Sequence, residues 1–116
     1  MIDTIVRAVD GTYIDLSRVV AILPVEELPH YFGGLYGYDV MFLPEGIPFK
    51  QDQTFSVTIS KRFGRPPELR REYTEFGGIT DKGREILESF NQKCIAEMEL
   101  SRESLANQWR GYRKQV

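Results

Sequence analysis

Leu87, Phe90, Cys94, Met98, Ser101, Leu105, Trp109, Tyr112 and Val116 recur at spacings of three or four residues with a mean of 3.6, the repeat of an α-helix. A strand cannot carry this pattern, because its side chains alternate between faces with period two. Thr80 stands before the run as an N-cap and Asp81 places a negative charge in the first turn, so one long helix is predicted over 80–115. At 1.5 Å per residue it is about 50 Å long. The stripe passes Ser101 without losing phase, which favours one helix; the alternative is a break near Leu100-Ser101, since Ser101 and Glu103 also make a helix start.

Upstream the period is two. Ile5, Arg7 and Val9 alternate with Thr4, Val6 and Ala8, Asp10-Gly11 predicts a two-residue hairpin turn, and Thr12 to Leu16 is the return strand. Arg18 to Leu23 is β-rich until Pro24 removes a ladder donor. Tyr38 to Leu43 and Thr54 to Ser60 are further strands. Pro24 to Gly37 reads as an irregular insertion whose Tyr31, Phe32 and Tyr36 either pack as a lid on an open sheet edge or close over a flat ligand. Pro66-Pro67 demands an extended start, leaving Leu69 to Phe76 open between an edge strand and a short helix before Gly77-Gly78 breaks the chain.

The fold class is therefore α+β: an N-terminal antiparallel sheet of four to five strands and one long C-terminal helix, with a β module over 1–60, a connector over 61–79 and the helix over 80–115. Five-residue strands span only about 17 Å. A helix three times longer overhangs such a sheet, which predicts a homo-oligomer formed through the C-terminal half of the helix.

Length and composition set the outer bounds. With 116 residues, 41% apolar and 28% charged, the chain matches a single globular domain. Roughly two-thirds of its unfolded surface can be buried, enough for a core without a staple. No apolar run approaches the ~20 residues of a membrane span, and no basic segment followed by an apolar block opens the chain, so the expectation is a cytoplasmic protein with no membrane contact. One Cys and one His supply neither a disulfide framework nor a zinc cluster, and neither a metal nor a cofactor is expected.

The net charge of -2 hides an asymmetry. Residues 1–60 carry -5, 61–75 carry +2, 76–99 carry -2 and 100–116 carry +3. Positive charge gathers at Lys61, Arg62, Arg65, Arg70 and Arg71, and again at Arg102, Arg110, Arg113 and Lys114. Guanidinium groups pair with phosphates through planar paired donors, while cations at a helix C-terminus also complement its dipole. The acidic first half disfavours polymeric nucleic acid, which attracts proteins through a long-range positive field.

Catalytic constellations are missing. No Ser lies in a nucleophile elbow, His30 is alone in a loop, and Cys94 sits on the apolar stripe as a small hydrophobe. The glycine-rich pieces at 32–38 and 76–83 match neither a Walker loop nor a dinucleotide fingerprint. A nucleotide-directed enzyme would need Glu72, Glu75 or Asp81 to converge. The strongest constellation is on the last helical turns. At 100° per residue Arg102, Trp109 and Arg113 fall within about 20° of one line, with Ala106 leaving room between them and Arg110 at the flank. Two guanidinium groups around an indole make a platform for a small anionic nucleotide-like ligand; the competing reading is that Trp109 anchors a helix–helix interface while the arginines pair with carboxylates.

Three segments, Gly-Thr-Tyr-Ile-Asp-Leu-Ser-Arg-Val-Val-Ala-Ile (11–22), the hydrophobic strand 38–43, and Ser-Arg-Glu-Ser-Leu-Ala-Asn-Gln-Trp-Arg-Gly-Tyr-Arg (101–113), give a layout that resembles the phage Thoeris anti-defence proteins of the first type. The resemblance implies an oligomer that sequesters, without cleaving, a cyclic ADP-ribose-type signal or a cyclic oligonucleotide in the host cytoplasm. Aromatic and arginine contacts of that kind suit Phe90, Arg102, Trp109, Arg110 and Arg113. The rival reading from another class is a protein-interaction module that docks through the long helix and the aromatic loop.

Overall fold

The computed structural model describes residues 4–30, 33–43 and 54–115. Strand β1 (Ile5–Arg7) pairs antiparallel with β2 (Tyr13–Asp15) in the register Ile5↔Asp15, Val6↔Ile14 and Arg7↔Tyr13. Alternation turns Val6 and Ile14 into the core and leaves Ile5 and Tyr13 in water. The connection is one residue longer than the expected two-residue turn. Ala8 donates to the Thr12 carbonyl at 2.8 Å, and Gly11 closes a turn onto the Ala8 carbonyl at 3.0 Å. A type I′ turn needs positive φ at both central positions, but only Gly11 has it, at +90°. The loop is therefore Val9-Asp10-Gly11.

A 3-10 turn follows at Leu16–Arg18, held by Asp15, whose carboxylate accepts from the Ser17 amide at 3.0 Å and the Ser17 hydroxyl at 2.6 Å. Next come β3 (Val19–Ile22), β4 (Glu26–Glu27), β5 (Leu35–Phe42) and β6 (Phe55–Arg62). They form a second antiparallel sheet around β5, with β3 and β4 pairing with successive stretches of β5 and β6 pairing along its full length. The inner face of β5 is Tyr36, Tyr38, Val40 and Phe42, all buried. The outer face is polar where Thr58 donates to Asp39 at 2.6 Å.

The α+β class holds, antiparallel β followed by one long helix, and the structure adds two details to the β half. The expected single sheet of four to five strands is six strands in two sheets among the described residues. The insertion expected over 24–37 is also shorter, because Glu26–Glu27 pair with β5 and β5 itself starts at Leu35. Tyr36 is thus a core residue, 3% exposed. Gly37 falls in the expected insertion but is a strand residue chosen for space, since a Cβ there would lie 2.5 Å from the Ile59 carbonyl oxygen. Tyr31 and Phe32 lie outside the described residues.

After β6 the chain makes a 3-10 turn at Pro67–Arg71 around buried Leu69, then a single bridge between Tyr73 and Ile79. The stretch left open thus begins as a short helix, of the 3-10 kind and ending at Arg71, and takes part in β pairing only through Tyr73. Helix α1 (Asp81–Gln115) is continuous for 35 residues, with no break at Ser101. Thr80 caps it, its hydroxyl accepting from the Gly83 amide at 3.0 Å.

The helix lies along the long axis of a body measuring 59 × 27 × 19 Å and packs on β5, β3 and both 3-10 turns. Its apolar stripe enters one core with Ile14, Leu16, Val40 and Ile59, and the burial extends to the end: Leu105 and Ala106 are buried, and Trp109 and Tyr112 pack against that core. The expected overhang is absent because β1–β2 and the first 3-10 turn contribute to the core that the last helical turns enter. Among the described residues no helix is long and apolar enough to cross a membrane.

Candidate functional site

The helical line through Arg102, Ala106 and Trp109 faces the sheet. Arg102 donates from Nε to the Leu23 carbonyl at 2.7 Å and from Nη2 to the Ile22 carbonyl at 2.9 Å, while Nη1 lies 3.6 Å from Glu103 and 4.0 Å from Glu99. Each nitrogen of the guanidinium is engaged within the chain. Ala106 is buried in the core, so its small size serves packing against the sheet. Trp109 is half-buried, with the Arg113 guanidinium 5.3 Å from its ring centroid. Arg110 donates to Asn107 at 2.6 Å and lies 4.0 Å from Glu103. These residues do cluster, with Arg102 and Arg110 matched by hydrogen bonds and carboxylates and Arg113 meeting the Trp109 ring.

Phe90 is elsewhere. Nineteen residues up the helix, it is separated from Trp109 by about 28 Å along the axis. It lines a cleft of about 590 Å³ between the start of β5, the second 3-10 turn and the first turns of α1. Tyr36 and Tyr73 are the other aromatic residues of the lining, Leu69, Ile79 and Leu87 are aliphatic, and Glu27, Arg65, Glu88 and Asn91 supply polar groups. Part of the wall is bare backbone: Gly34 and Gly64 meet so closely, through the Phe63 amide donating to the Gly34 carbonyl at 2.7 Å, that a Cβ on Gly34 would collide with Gly64. The cleft is open because no side chain fills that corner.

Tyr36 fixes one wall. Its hydroxyl donates to the Asn91 side-chain oxygen, tying β5 to the helix, and its ring meets Phe63 edge-to-face at 5.7 Å. Burial, with the negative charges of Glu27 and then Cys94 adding to it, pushes the Tyr36 phenol up to about 12. It stays a neutral donor at any physiological pH. Burial likewise raises Tyr38, against a hydrogen bond with Ser101 at 3.2 Å that lowers it. Burial and then the Glu97 charge raise the Cys94 thiol, which suits a packing residue better than a nucleophile.

The arrangement can hold a flat ring against aromatic walls, accept hydrogen bonds from it on Glu27 or Glu88, and present a guanidinium to an anionic group. Among the described residues no three His, Cys, Asp or Glu side chains converge as metal ligands would. Of the five residues selected for the helical site only Phe90 belongs to this cleft, joined there by Tyr36 from the expected insertion and Arg65 from the first basic patch. Glycines 33, 34, 64 and 77, spread over three segments, are the signal that sequence reading could register singly but could not assemble. Comparison with protein-family models, with curated proteins and with solved structures finds no match to this chain, and so nothing that bears on a likeness to the Thoeris anti-defence proteins.

Proposed function

We propose that this chain binds a small, flat, anionic ligand of the nucleotide class in the Phe90 cleft and holds it without cleaving it. The observation that carries the reading is the joining of Tyr36, Tyr73 and Phe90 with Arg65, Glu27 and Glu88 around one cleft. A nucleobase is recognised by stacking and by acceptors for its exocyclic amine, and a phosphate by a guanidinium. Cyclic ADP-ribose-type signals and cyclic oligonucleotides both carry these parts. A cytoplasmic setting, as for an anti-defence sponge, goes with the reading. The cleft lining named above comes from a single chain.

The test is a thermal-shift panel of ADP-ribose, cyclic ADP-ribose isomers and cyclic di- and trinucleotides, followed by recovery of the ligand after heat denaturation. At a hundredfold excess over Kd a binder stabilises by about 2.7 kcal/mol, on the order of 10 °C for a chain of this size. Phe90→Ala removes the shift, and the ligand returns chemically intact. A panel with no shift overturns the reading, and an altered product replaces sequestration with catalysis.

One observation favours the protein-interaction reading. Phe76 is 97% exposed on an ordered turn, closed by the Thr74 amide on the Gly78 carbonyl at 2.7 Å and the Gly77 amide on the Thr74 carbonyl at 3.0 Å. A phenyl ring held in water forgoes roughly 1.5–3 kcal/mol of burial, which a partner surface would recover. If docking is the function, Phe76→Ala abolishes it and no member of the ligand panel shifts the melting temperature.

A further inference from the structure

The cations of this chain differ in what they meet. Lys61 reaches Glu97 at 3.3 Å, Arg84 reaches Asp81 at 3.9 Å, and Arg102 and Arg110 reach Glu103 at 3.6 and 4.0 Å. Arg70, Arg71 and Lys82 make no side-chain hydrogen bond or ion pair among the described residues, and all three line one groove of about 550 Å³ between the second 3-10 turn and the start of α1. Their placement follows from local structure. A 3-10 turn has three residues per revolution, so with Leu69 buried as its anchor the next two side chains point outward. Lys82 faces them from the first turn of the helix.

Glu68 and Glu72 are the carboxylates of that groove. Glu72 is engaged elsewhere: it accepts from the Thr80 hydroxyl at 2.8 Å, and that hydroxyl caps the helix. The groove therefore holds three cations against two carboxylates, a net positive charge, and none of the three cations is paired with either carboxylate. Arg70 also lines a hollow of about 380 Å³ with Arg65, Leu69 and Tyr73, and those last three residues line the Phe90 cleft. A row of positive charge, Arg65, Arg70, Arg71 and Lys82, thus leads away from the aromatic walls.

We propose that Arg70, Arg71 and Lys82 form a subsite for a pyrophosphate group, carried by a nucleotide whose base occupies the Phe90 cleft. The proposal rests on the reading of that cleft given above and narrows it, since a single phosphate would need only the nearest guanidinium, whereas a row of cations suits two linked phosphates.

The experiment is calorimetric titration of the full chain with three probes: inorganic pyrophosphate, adenosine and ADP-ribose. The proteins are the parent chain, the triple variant R70Q/R71Q/K82Q and Phe90→Ala. All three substituted cations are exposed, and circular dichroism checks that the variant keeps its fold. Expected is pyrophosphate binding that weakens as salt rises, falls tenfold or more in the triple variant and is unchanged in Phe90→Ala. ADP-ribose weakens in both variants, and adenosine weakens only in Phe90→Ala. Pyrophosphate that fails to bind, or binds the triple variant equally well, overturns the subsite while Phe90-dependent adenosine binding leaves the cleft reading in place. Pyrophosphate binding lost in the triple variant, with no adenosine binding, keeps the anion site and removes the cleft reading.

Discussion

Arg102 closes the end of β3 by donating from Nη2 to the Ile22 carbonyl at 2.9 Å, seventy-nine to eighty residues back along the chain when the neighbouring bond from Nε to Leu23 is included. The two carbonyls lie where the chain leaves the β3 ladder, and a half-buried guanidinium matches both at once. This explains why a residue placed for a phosphate in the helical projection is instead a clamp between sheet and helix.

Arg102→Ala leaves two carbonyl groups to water or to nothing, so the expected loss is on the order of 2 kcal/mol, read as a lower urea midpoint at unchanged m. Arg102→Lys recovers only part, because a single ammonium cannot reproduce the paired geometry. Ligand binding at the Phe90 cleft is unchanged in either variant once folding is allowed for. Loss of binding out of proportion to stability would return Arg102 to the ligand site.

Tyr36 sets the alkaline limit. In the unfolded chain its phenol ionises near 10, and in the fold near 12. Between those values the unfolded state releases a proton that the native state keeps, so stability is fully present below pH 10 and falls as pH rises from there towards 12. Tyr38, raised in the same direction, adds to the fall. Denaturant midpoints measured across that range should drop, and Tyr36→Phe should lessen the drop while costing about 1 kcal/mol at neutral pH through the lost bond to Asn91. An alkaline profile identical to the parent's would remove Tyr36 as its cause.

The helix was legible because 3.6-residue periodicity over nine positions has no competing explanation, and the Thr80 cap because its spacing to Gly83 is local. The sheet was less so. Gly37 falls in the expected insertion until the crowding by Ile59 is known, and Glu26–Glu27 become a strand only because β5 offers an edge. Trp109 shows the limit at the site: it belongs both to the apolar stripe and to the arginine line, and the fold half-buries it against the core with Arg113 over its ring. The cleft at Phe90 depends on residues near 34, 64, 77 and 90 meeting, which no local pattern encodes.

Asp10 ties the tip of the β1–β2 hairpin to β6. Its carboxylate accepts from the Thr12 amide at 2.9 Å and the Ser60 amide at 3.3 Å. Burial pushes its pKa up, but hydrogen bonds from the Thr12 side chain and from the Thr12 and Ser60 backbone outweigh it and hold the carboxyl below its ordinary 3.8. Its contribution is therefore present above pH 3.8 and is lost as pH falls through the lower folded-state value. Asp10→Asn should cost about 1 kcal/mol at neutral pH and nothing extra once the parent's Asp10 is protonated, so the two acid-unfolding curves converge at low pH. Curves that stay parallel would mean that the charge is not what holds the tip.

Gly34 and Gly64 separate two reasons for a glycine in one contact. Both have φ +74°, so an alanine at either position meets the left-handed penalty of roughly 1–2 kcal/mol. At Gly64 nothing lies within 4 Å of the added methyl, and the penalty should stop there. At Gly34 the methyl runs into the Gly64 backbone, which cannot yield without breaking the bond from the Phe63 amide to the Gly34 carbonyl. Gly34→Ala should therefore destabilise by several kcal/mol more than Gly64→Ala in chemical denaturation, and it should disturb the cleft wall. Gly64→Ala, by contrast, adds a methyl to the cleft lining while the fold persists, and should weaken adenosine binding at no cost in stability beyond that backbone penalty. Equal destabilisation by the two variants would show that the wall relaxes around a side chain, and the open corner would then need another explanation.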